Sequence, residues 1–337
     1  MKRSVIILTS IILYTACFFS PVFGEKKNEK YFRVMEYNVE NLFDCKHDTL
    51  KHDTDFTPEG EYEWHFGKYW KKLNAVARGI VLGSLDKEEM HIPDLIGLCE
   101  VENDSVMFDL TRRSLLRGAG YEYVMTQSPD LRGIDVALLY QPVSFCLIKH
   151  YGLRVEPKAD MQPTRDILYV KGETMFGMLH VFVVHAPSRR GGQRASEPYR
   201  MAVAERLAQS IDSIMHTADD MEENIIIMGD FNDYDKNRSI QFLMGQGLED
   251  ISSKQFVKGD KKVKGTYRYQ GGWGSLDHIL VSEAMKRRHK RTHIANHPCL
   301  LEPDMKYGGV KPYRFFRGPV INGGFSDHLP LISIFTY

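Results

Sequence analysis

Short apolar runs that stop on polar residues constrain this chain more than any other feature. Residues 95–99, 179–184 and 225–228 are almost wholly apolar. Each is too short for a core helix and reads as a strand buried on both faces. Residues 33–38, 136–140, 143–148, 276–281 and 331–335 read as further strands. Two of these, 136–140 and 143–148, flank Gln141-Pro142 and predict a hairpin. Between the strands, Tyr69, Leu73, Val76, Ala77 and Ile80 recur at helical spacing. Ser196 is expected to cap a second helix, with Pro198 in its first turn and Val203, Leu207, Ile211 and Ile214 as its core stripe. Strands with helices between some of them argue one α/β domain without a linker, repeat or low-complexity segment. Composition agrees: 43% apolar and 26% charged residues exclude disordered and collagen-like chains.

The first 24 residues stand apart from that domain. Met1-Lys2-Arg3 is a short positive start, residues 5–19 are almost entirely apolar, and Val22-Phe23-Gly24 precedes the polar Glu25-Lys26-Lys27. This is the layout of a secretory signal peptide cleaved after Gly24. The apolar run is short for a membrane span, which needs about 20 residues. A lipoprotein acylated at Cys17 is the weaker reading, because Tyr14 is bulky where a lipobox wants an aliphatic residue. The expected organisation is a signal peptide over 1–24 and one domain over 25–337, secreted or periplasmic, with no transmembrane segment in the mature chain. Loss of Lys2 and Arg3 leaves 42 basic against 44 acidic residues, a net charge of −2. A globally basic nucleic-acid binder is thereby excluded, but a local basic patch is not.

Export permits disulfides. Cys45, Cys99, Cys146 and Cys299 match no zinc spacing, and Cys-x-x-Cys is absent. Cys99 and Cys146 lie in strand-like runs and are expected as buried thiols. Cys45 and Cys299 form a candidate bridge that spacing does not decide.

The polar residues that follow the strands carry the chemistry. Asn38 follows the first strand, Glu100 and Glu102 the second, His185 a third, and Asp230-Phe231-Asn232 a fourth. Ligands of open α/β sheets bind beyond the carboxyl ends of strands. Asp277-His278 and Asp327-His328 come later in the chain. Carboxylates with an amide suit a hard cation such as Mg2+, and an Asp–His pair orients an imidazole for proton work. Zinc is a poorer fit, since His-Glu-x-x-His is absent, and Gly-x-Ser-x-Gly is absent too. His278 follows Asp277 within a strand, so it is expected on the opposite face, in a structural role.

Taken singly, Asn38 reads as a turn residue, residues 229–232 as an Asx turn and His185 as a core histidine. Their joint order points elsewhere. Tyr37-Asn38-Val39, Gly97-Leu98-Cys99-Glu100-Val101, Val184-His185-Ala186-Pro187, Gly229-Asp230-Phe231-Asn232, Leu276-Asp277-His278 and Ser326-Asp327-His328-Leu329-Pro330 resemble the successive motifs of the endonuclease/exonuclease/phosphatase superfamily. The resemblance spans about residues 33–335, and Glu100-Val101-Glu102-Asn103 with residues 133–140 looks most like a bacterial secreted-nuclease branch. It implies a DNase I-like, four-layer α/β/β/α sandwich, with two mixed β-sheets packed face to face and flanking helices. It implies hydrolysis of a phosphate ester by an activated water, with Mg2+ as cofactor and Mn2+ or Ca2+ as alternates. Carried over residue by residue, Asn38 and Glu100 hold the metal, with Asp327 as a further ligand. His328 is general base or phosphate contact, oriented by Asp277. Asp230 positions or deprotonates the water, Asn232 binds the phosphate, and His185 is general acid or transition-state donor. Arg165 matches a substrate-contacting arginine, and Asp135 is a candidate to orient His185. Cys99 departs from the family, which often has Gln there.

That superfamily includes nucleases, phosphatases and sphingomyelinase-type phospholipases, so fold does not choose the ester. Residues 251–291 hold 11 basic and three acidic residues, with Tyr267, Tyr269 and Trp273 among them. Basic groups with aromatics suit a phosphate backbone and exposed bases. Lys261, Lys262 and Lys264, with Arg189 beside His185, are the expected substrate contacts. The reading is a metal-dependent endonuclease cleaving DNA or RNA, with a phosphatase or phospholipase acting on small or lipid esters as the alternative. Nucleic acid is the expected partner, and no stable protein partner is implied.

Overall fold

A computed structural model describes residues 30–86, 89–158, 160–217, 223–252 and 262–337. The expected signal peptide over residues 1–24, with Cys17, and Lys254, Lys258 and Lys261 lie outside the described residues. Two six-stranded sheets form the frame. The first runs in the order β11 (His289–Ile294), β12 (Leu331–Thr336), β1 (Tyr31–Leu42), β2 (Leu95–Val101), β4 (Asp135–Tyr140), β3 (Glu122–Met125). The second runs β9 (Glu249–Asp250), β10 (Asp277–Val281), β8 (Asn224–Asp230), β7 (Gly177–His185), β6 (Ile167–Thr174), β5 (Cys146–Leu153). Each sheet is mixed: β1 and β2 are parallel, as are β7 and β8, and the remaining pairs are antiparallel. Helices α1 (Phe66–Gly83) and α2 (Asp104–Arg112) pack on the first sheet; α3 (Gln193–Thr217) and α4 (Arg238–Met244) pack on the second. The short α5 (Glu283–Arg288) follows β10. None of the described helices is long and apolar enough to cross a membrane.

Alternation along each strand sorts side chains into three apolar layers. Phe32 and Val34 of β1 meet Val181 and Val183 of β7, and Ile226 and Met228 of β8, between the sheets. Met35, Tyr37 and Val39 face the first helical layer, with Leu73, Val76 and Ile80 of α1. Phe182, Val184, Ile225 and Ile227 face the second, with Val203, Leu207 and Ile211 of α3. Full burial of each such aliphatic side chain contributes about 1.5–3 kcal/mol. The expected four-layer α/β/β/α sandwich is therefore the fold. Residues Glu36 and Asn38, His185, Asp230 and Asp277 continue the inter-sheet rows by parity, so the polar cluster is the open end of the central core.

Several local expectations are corrected. The hairpin does not form: β4 belongs to one sheet and β5 to the other. Phe145, between them, is buried in the inter-sheet layer against Gly172, where an added methyl would lie 2.2 Å from its ring. That anchor carries the chain across before β5 begins. β5 is an edge strand, so Cys146 is exposed rather than buried. Cys45 and Cys299 are both free thiols, and Cys99 is buried as expected. Helix α3 begins at Gln193. Ser196 lies inside it, donating to Gly192 O at 2.8 Å and accepting from Arg200. Sequence periodicity also missed α2, although Asn103 caps it by accepting from Val106 N at 3.0 Å.

Candidate active site

Four parallel-strand ends and the starts of two antiparallel neighbours converge at one pole. Asp230, the last residue of β8, is in register with His185 of β7 and Asp277 of β10. Gly229 makes this possible. Its φ is +148°, and a methyl there would lie 1.9 Å from Val184 O, so only glycine lets the two strands approach. Glu40, Asn41, Glu100 and Asn232 adopt φ of 55°, 56°, 67° and 51°. Backbone strain of about 1–3 kcal/mol per residue is thus stored around the site. At Glu100 the left-handed turn coincides with a register shift between β2 and its neighbours, and Val101 then packs in the helical layer, opposite to its parity.

Asn38 Nδ2 donates to Asp230 Oδ2 at 3.0 Å, across the two sheets. Its Oδ1 accepts from Glu40 N, and its carbonyl accepts from Ser326 Oγ at 2.7 Å. Glu100 Oε2 accepts from Asn41 N at 2.9 Å, and Oε1 lies 3.8 Å from His185 Nε2. His185 Nε2 is also 3.8 Å from Asp230 Oδ2. His328 Nδ1 donates to Asp277 at 2.8 and 3.0 Å, and its Nε2 stands 3.9 Å from Asp230 Oδ2. Asp277 is held from behind by the Thr266 hydroxyl. The Tyr267 ring lies over the His328 ring, centroids 4.9 Å apart. Asn232 Nδ2 donates to Ala186 O at 3.0 Å, tying β7 to the turn after β8.

Electrostatics separates the two histidines. Burial opposes charge on His328, but the Asp277 carboxylate overrides it and holds the imidazolium well above the usual histidine range. Burial, reinforced by Arg165 and Arg132, pushes His185 well below that range, and its Nδ1 has no hydrogen-bond partner. A neutral ring suits the donor role expected of His185 rather than the acid role. Burial, with the Asp277 charge adding and His328 opposing, raises Asp230 to about 7. Such a carboxylate can exchange a proton near neutral pH.

Other expected residues fall differently. Asp327 Oδ2 accepts from Arg314 at 3.3 Å, and Arg314 also donates to Glu40. Arg165 is only 7% exposed. It donates to the carbonyls of His185 and Ala186 and to Asp130, so it supports the site from inside instead of reaching substrate. Asp135 accepts from the Thr126 hydroxyl and Ser128 N, and does not orient His185. Arg189 donates to Asn232 O at 2.7 Å and lies at the site's edge. Lys262 and Lys264 are exposed just before Thr266. Lys286, Arg288 and Lys290 cluster at the opposite pole, where β11 meets the far end of β12. There Lys286 pairs with Glu249, and Lys290 with the Tyr31 hydroxyl.

Two features were not assigned from sequence. Glu36 is fully buried, and neither carboxyl oxygen has a hydrogen-bond partner among the described residues. Burial, then the charges of Asp277 and Asp230, push it well above the carboxylate range. Its parity with Asn38 was the available signal. The second feature is the environment of His278. It points into the opposite layer, as expected, and there it donates to Asp250 Oδ2 at 2.8 Å and Asp233 O at 2.9 Å.

The donor set fits a hard divalent cation. The Glu100 carboxylate and Asn38 amide supply oxygen donors, and the surrounding buried carboxylates outnumber their cationic partners. Among the described residues, Asp230, Asp277 and His328 also bring ligand atoms within 4.8 Å of one another. However, Asp277 and His328 Nδ1 are already engaged with each other, which favours proton chemistry for that trio.

The sequence profile of the Endonuclease/Exonuclease/phosphatase family matches residues 33–336. Protein angel of Drosophila melanogaster is 24% identical over 254 residues, covering 72% of this chain and 68% of that protein. An endonuclease/exonuclease/phosphatase family protein from Bacteroides thetaiotaomicron superposes with a TM-score of 0.54 at 14% identity, covering 92% of this chain and 96% of that one. D. rerio TDP2 complexed with a single-strand DNA product gives a TM-score of 0.56 at 15% identity, covering 92% and 100%. With the profile spanning both sheets and every strand end of the polar cluster, this chain belongs to the endonuclease/exonuclease/phosphatase family of phosphoester hydrolases.

Proposed function

We propose that this protein is an exported, metal-dependent phosphodiesterase that cleaves polynucleotides, of the secreted-nuclease kind. One observation carries the chemistry: His328 is locked by Asp277 through Nδ1 while its Nε2 faces Asp230 at 3.9 Å, with no other hydrogen bond among the described residues. A proton donor and a carboxylate raised to about 7 therefore share one buried pole.

Asn38 and Glu100 are the residues that would hold a divalent cation, which polarises a phosphoryl oxygen and neutralises charge on the leaving oxygen. Asp230 takes the proton of the attacking water. His328 Nε2–H donates to a phosphoryl oxygen, with Asp277 stabilising the imidazolium. His185 Nε2–H and the second amide hydrogen of Asn232 add donors where charge develops. Exposed Lys262 and Lys264, with Arg189 at the edge, supply the attraction a polyanion needs. The DNA-bound relative of the same fold supports a polynucleotide rather than a small ester. The positive start, apolar run and polar boundary within residues 1–27 support export.

The test uses protein beginning at Glu25, with Mg2+ or Mn2+, offered supercoiled plasmid, single-stranded RNA, an inositol polyphosphate and sphingomyelin in parallel. Polynucleotide cleavage that is lost with EDTA and reduced by about 10²-fold or more in Glu100→Gln is expected. Release of phosphate or phosphocholine without polynucleotide cleavage would overturn the substrate class.

A further inference from the structure

A two-stranded ribbon stands over the active site, pairing Tyr267–Tyr269 with Gly272–Gly274. It is tied down at the catalytic end. Leu329 N donates to Thr266 O at 2.8 Å, the Thr266 hydroxyl reaches Asp277, and Tyr267 lies on His328. In this register Tyr267 faces Gly274, and Tyr269 faces Gly272. Opposed residues share a face of an antiparallel pair, as do residues two apart. Two tyrosines and two glycines therefore occupy one face. The cross-strand ring packing that normally stabilises such a pair is missing there, because glycine has no side chain to offer. The other face is closed: Arg268 opposes Trp273, with its guanidinium 5.5 Å from the ring centroid.

A third ring fills the tyrosine–glycine face at Gly274 and leaves it open at Gly272. A methyl at Gly274 would lie 2.5 Å from the Tyr234 ring, so Tyr234 sits beside that end of the ribbon. The Arg189 guanidinium covers Tyr234 at 4.1 Å, while its Nε donates to Asn232 O. Tyr269 is 62% exposed and Tyr234 37%. The rings thus lead outward from the imidazole that serves the phosphate.

His328 lies on Tyr267 and Arg189 on Tyr234, so the open ring is Tyr269, opposite Gly272, where an added methyl would meet nothing closer than 3.5 Å. Phosphate binding needs charge and donors, not an open ring; a planar partner is what such a ring fits. A duplex stacks its bases on one another, whereas a single strand leaves them free to stack on protein aromatics. Inositol and phosphocholine have no π-face. Resting on the polynucleotide reading above, we propose that the Tyr267–Tyr269 ribbon, with Tyr234, is a stacking platform for an unpaired base beside the scissile phosphate. The preferred substrate is then a single-stranded polynucleotide, and Tyr269 is a specificity-determining residue.

An oligonucleotide of natural bases, its fully abasic counterpart and a blunt duplex of the same length separate the alternatives. The abasic strand keeps the charge and removes every π-face. For the wild type, kcat/KM on the base-bearing strand is expected to exceed that on the abasic strand by about tenfold or more. That ratio should fall several-fold in Tyr269→Ala and be restored in Tyr269→Phe, which keeps the ring. A general loss of structure would lower both substrates together and leave the ratio unchanged. Equal cleavage of base-bearing and abasic strands, or a ratio unaltered by Tyr269→Ala, overturns the platform while the nuclease reading stands. Cleavage confined to the duplex also overturns it. Failure to cleave any of the three, with turnover of a small ester, sinks both readings.

Discussion

Two Asp–His pairs sit back to back on β10. Asp277 faces the inter-sheet pole and holds His328; its neighbour His278 faces the helical layer and is held by Asp250. Both pairs are buried, and both close at 2.8 Å through Nδ1. They differ at the second nitrogen. His278 Nε2 donates to Asp233 O, so both ring nitrogens meet acceptors and the ring must carry two protons. His328 Nε2 has no such partner and looks into the site. A spent imidazolium fixes structure, and an unspent one can do chemistry. His278 spends its proton on the backbone of Asp233, whose carboxylate is gripped by Arg200 at 2.8 Å and Ser239 at 2.7 Å. That braces the turn carrying Asp230 and Asn232.

The sharpest way to break this contrast is His328→Ala. It should lower kcat/KM by about 10²–10⁴-fold in protein that is still folded at the assay temperature, the range for removal of a positioned acid–base group. A comparable loss in His278→Ala without destabilisation would show that the contrast is false. Asp250→Asn should do the reverse: it strands a buried cation and costs about 3–5 kcal/mol of stability. Denaturant titration against pH sharpens this. His278 is raised above its unfolded value, because Asp250 outweighs burial, so its contribution fades as pH rises through the raised value. Asp250 is lowered, because His278 outweighs burial, so its contribution fades as pH falls through the lowered value. The difference between wild type and Asp250→Asn should therefore be largest between about pH 4 and 6.5. A difference flat from pH 4 to 9 would contradict a charged pair.

The smallest effect is expected at Glu36, which lies below the site with no partner. Its raised pKa makes ionisation costly, so stability is lost as pH rises above the ordinary carboxylate value. Glu36→Gln should gain on the order of 1–3 kcal/mol at pH 8, the linkage cost of a carboxyl whose pKa is raised on folding and which glutamine does not incur. The gain should vanish below about pH 4, where both side chains are neutral. A destabilised Glu36→Gln at pH 8 would mean that the ionised carboxylate is needed.

Sequence reading reached the parts of the site that local pattern encodes. Asn38, His185 and Asp230 could be placed because an apolar strand ends on them, and His278 because strand parity turns it away from Asp277. It failed where the fold, not the strand pattern, supplies the partner. Arg165 and Asp135 are polar residues next to strands, yet both turn inward to satisfy backbone near the site. The basic run divides between the site and the opposite pole, since charge counting has no direction.

By itself, the sequence determined the α/β class, the order of the core strands and the polar residues each strand delivers. Periodicity and strand-end polarity are local properties, readable from neighbours in the chain. Only the tertiary structure decided which sheet each strand joins. It sent β5 away from β4 through the burial of Phe145, and it left one histidine nitrogen free while engaging another. Those outcomes depend on packing and on hydrogen-bond partners brought together from distant positions, such as Asp233 and His278, or Asp277 and His328. No window along the chain contains both members of such pairs.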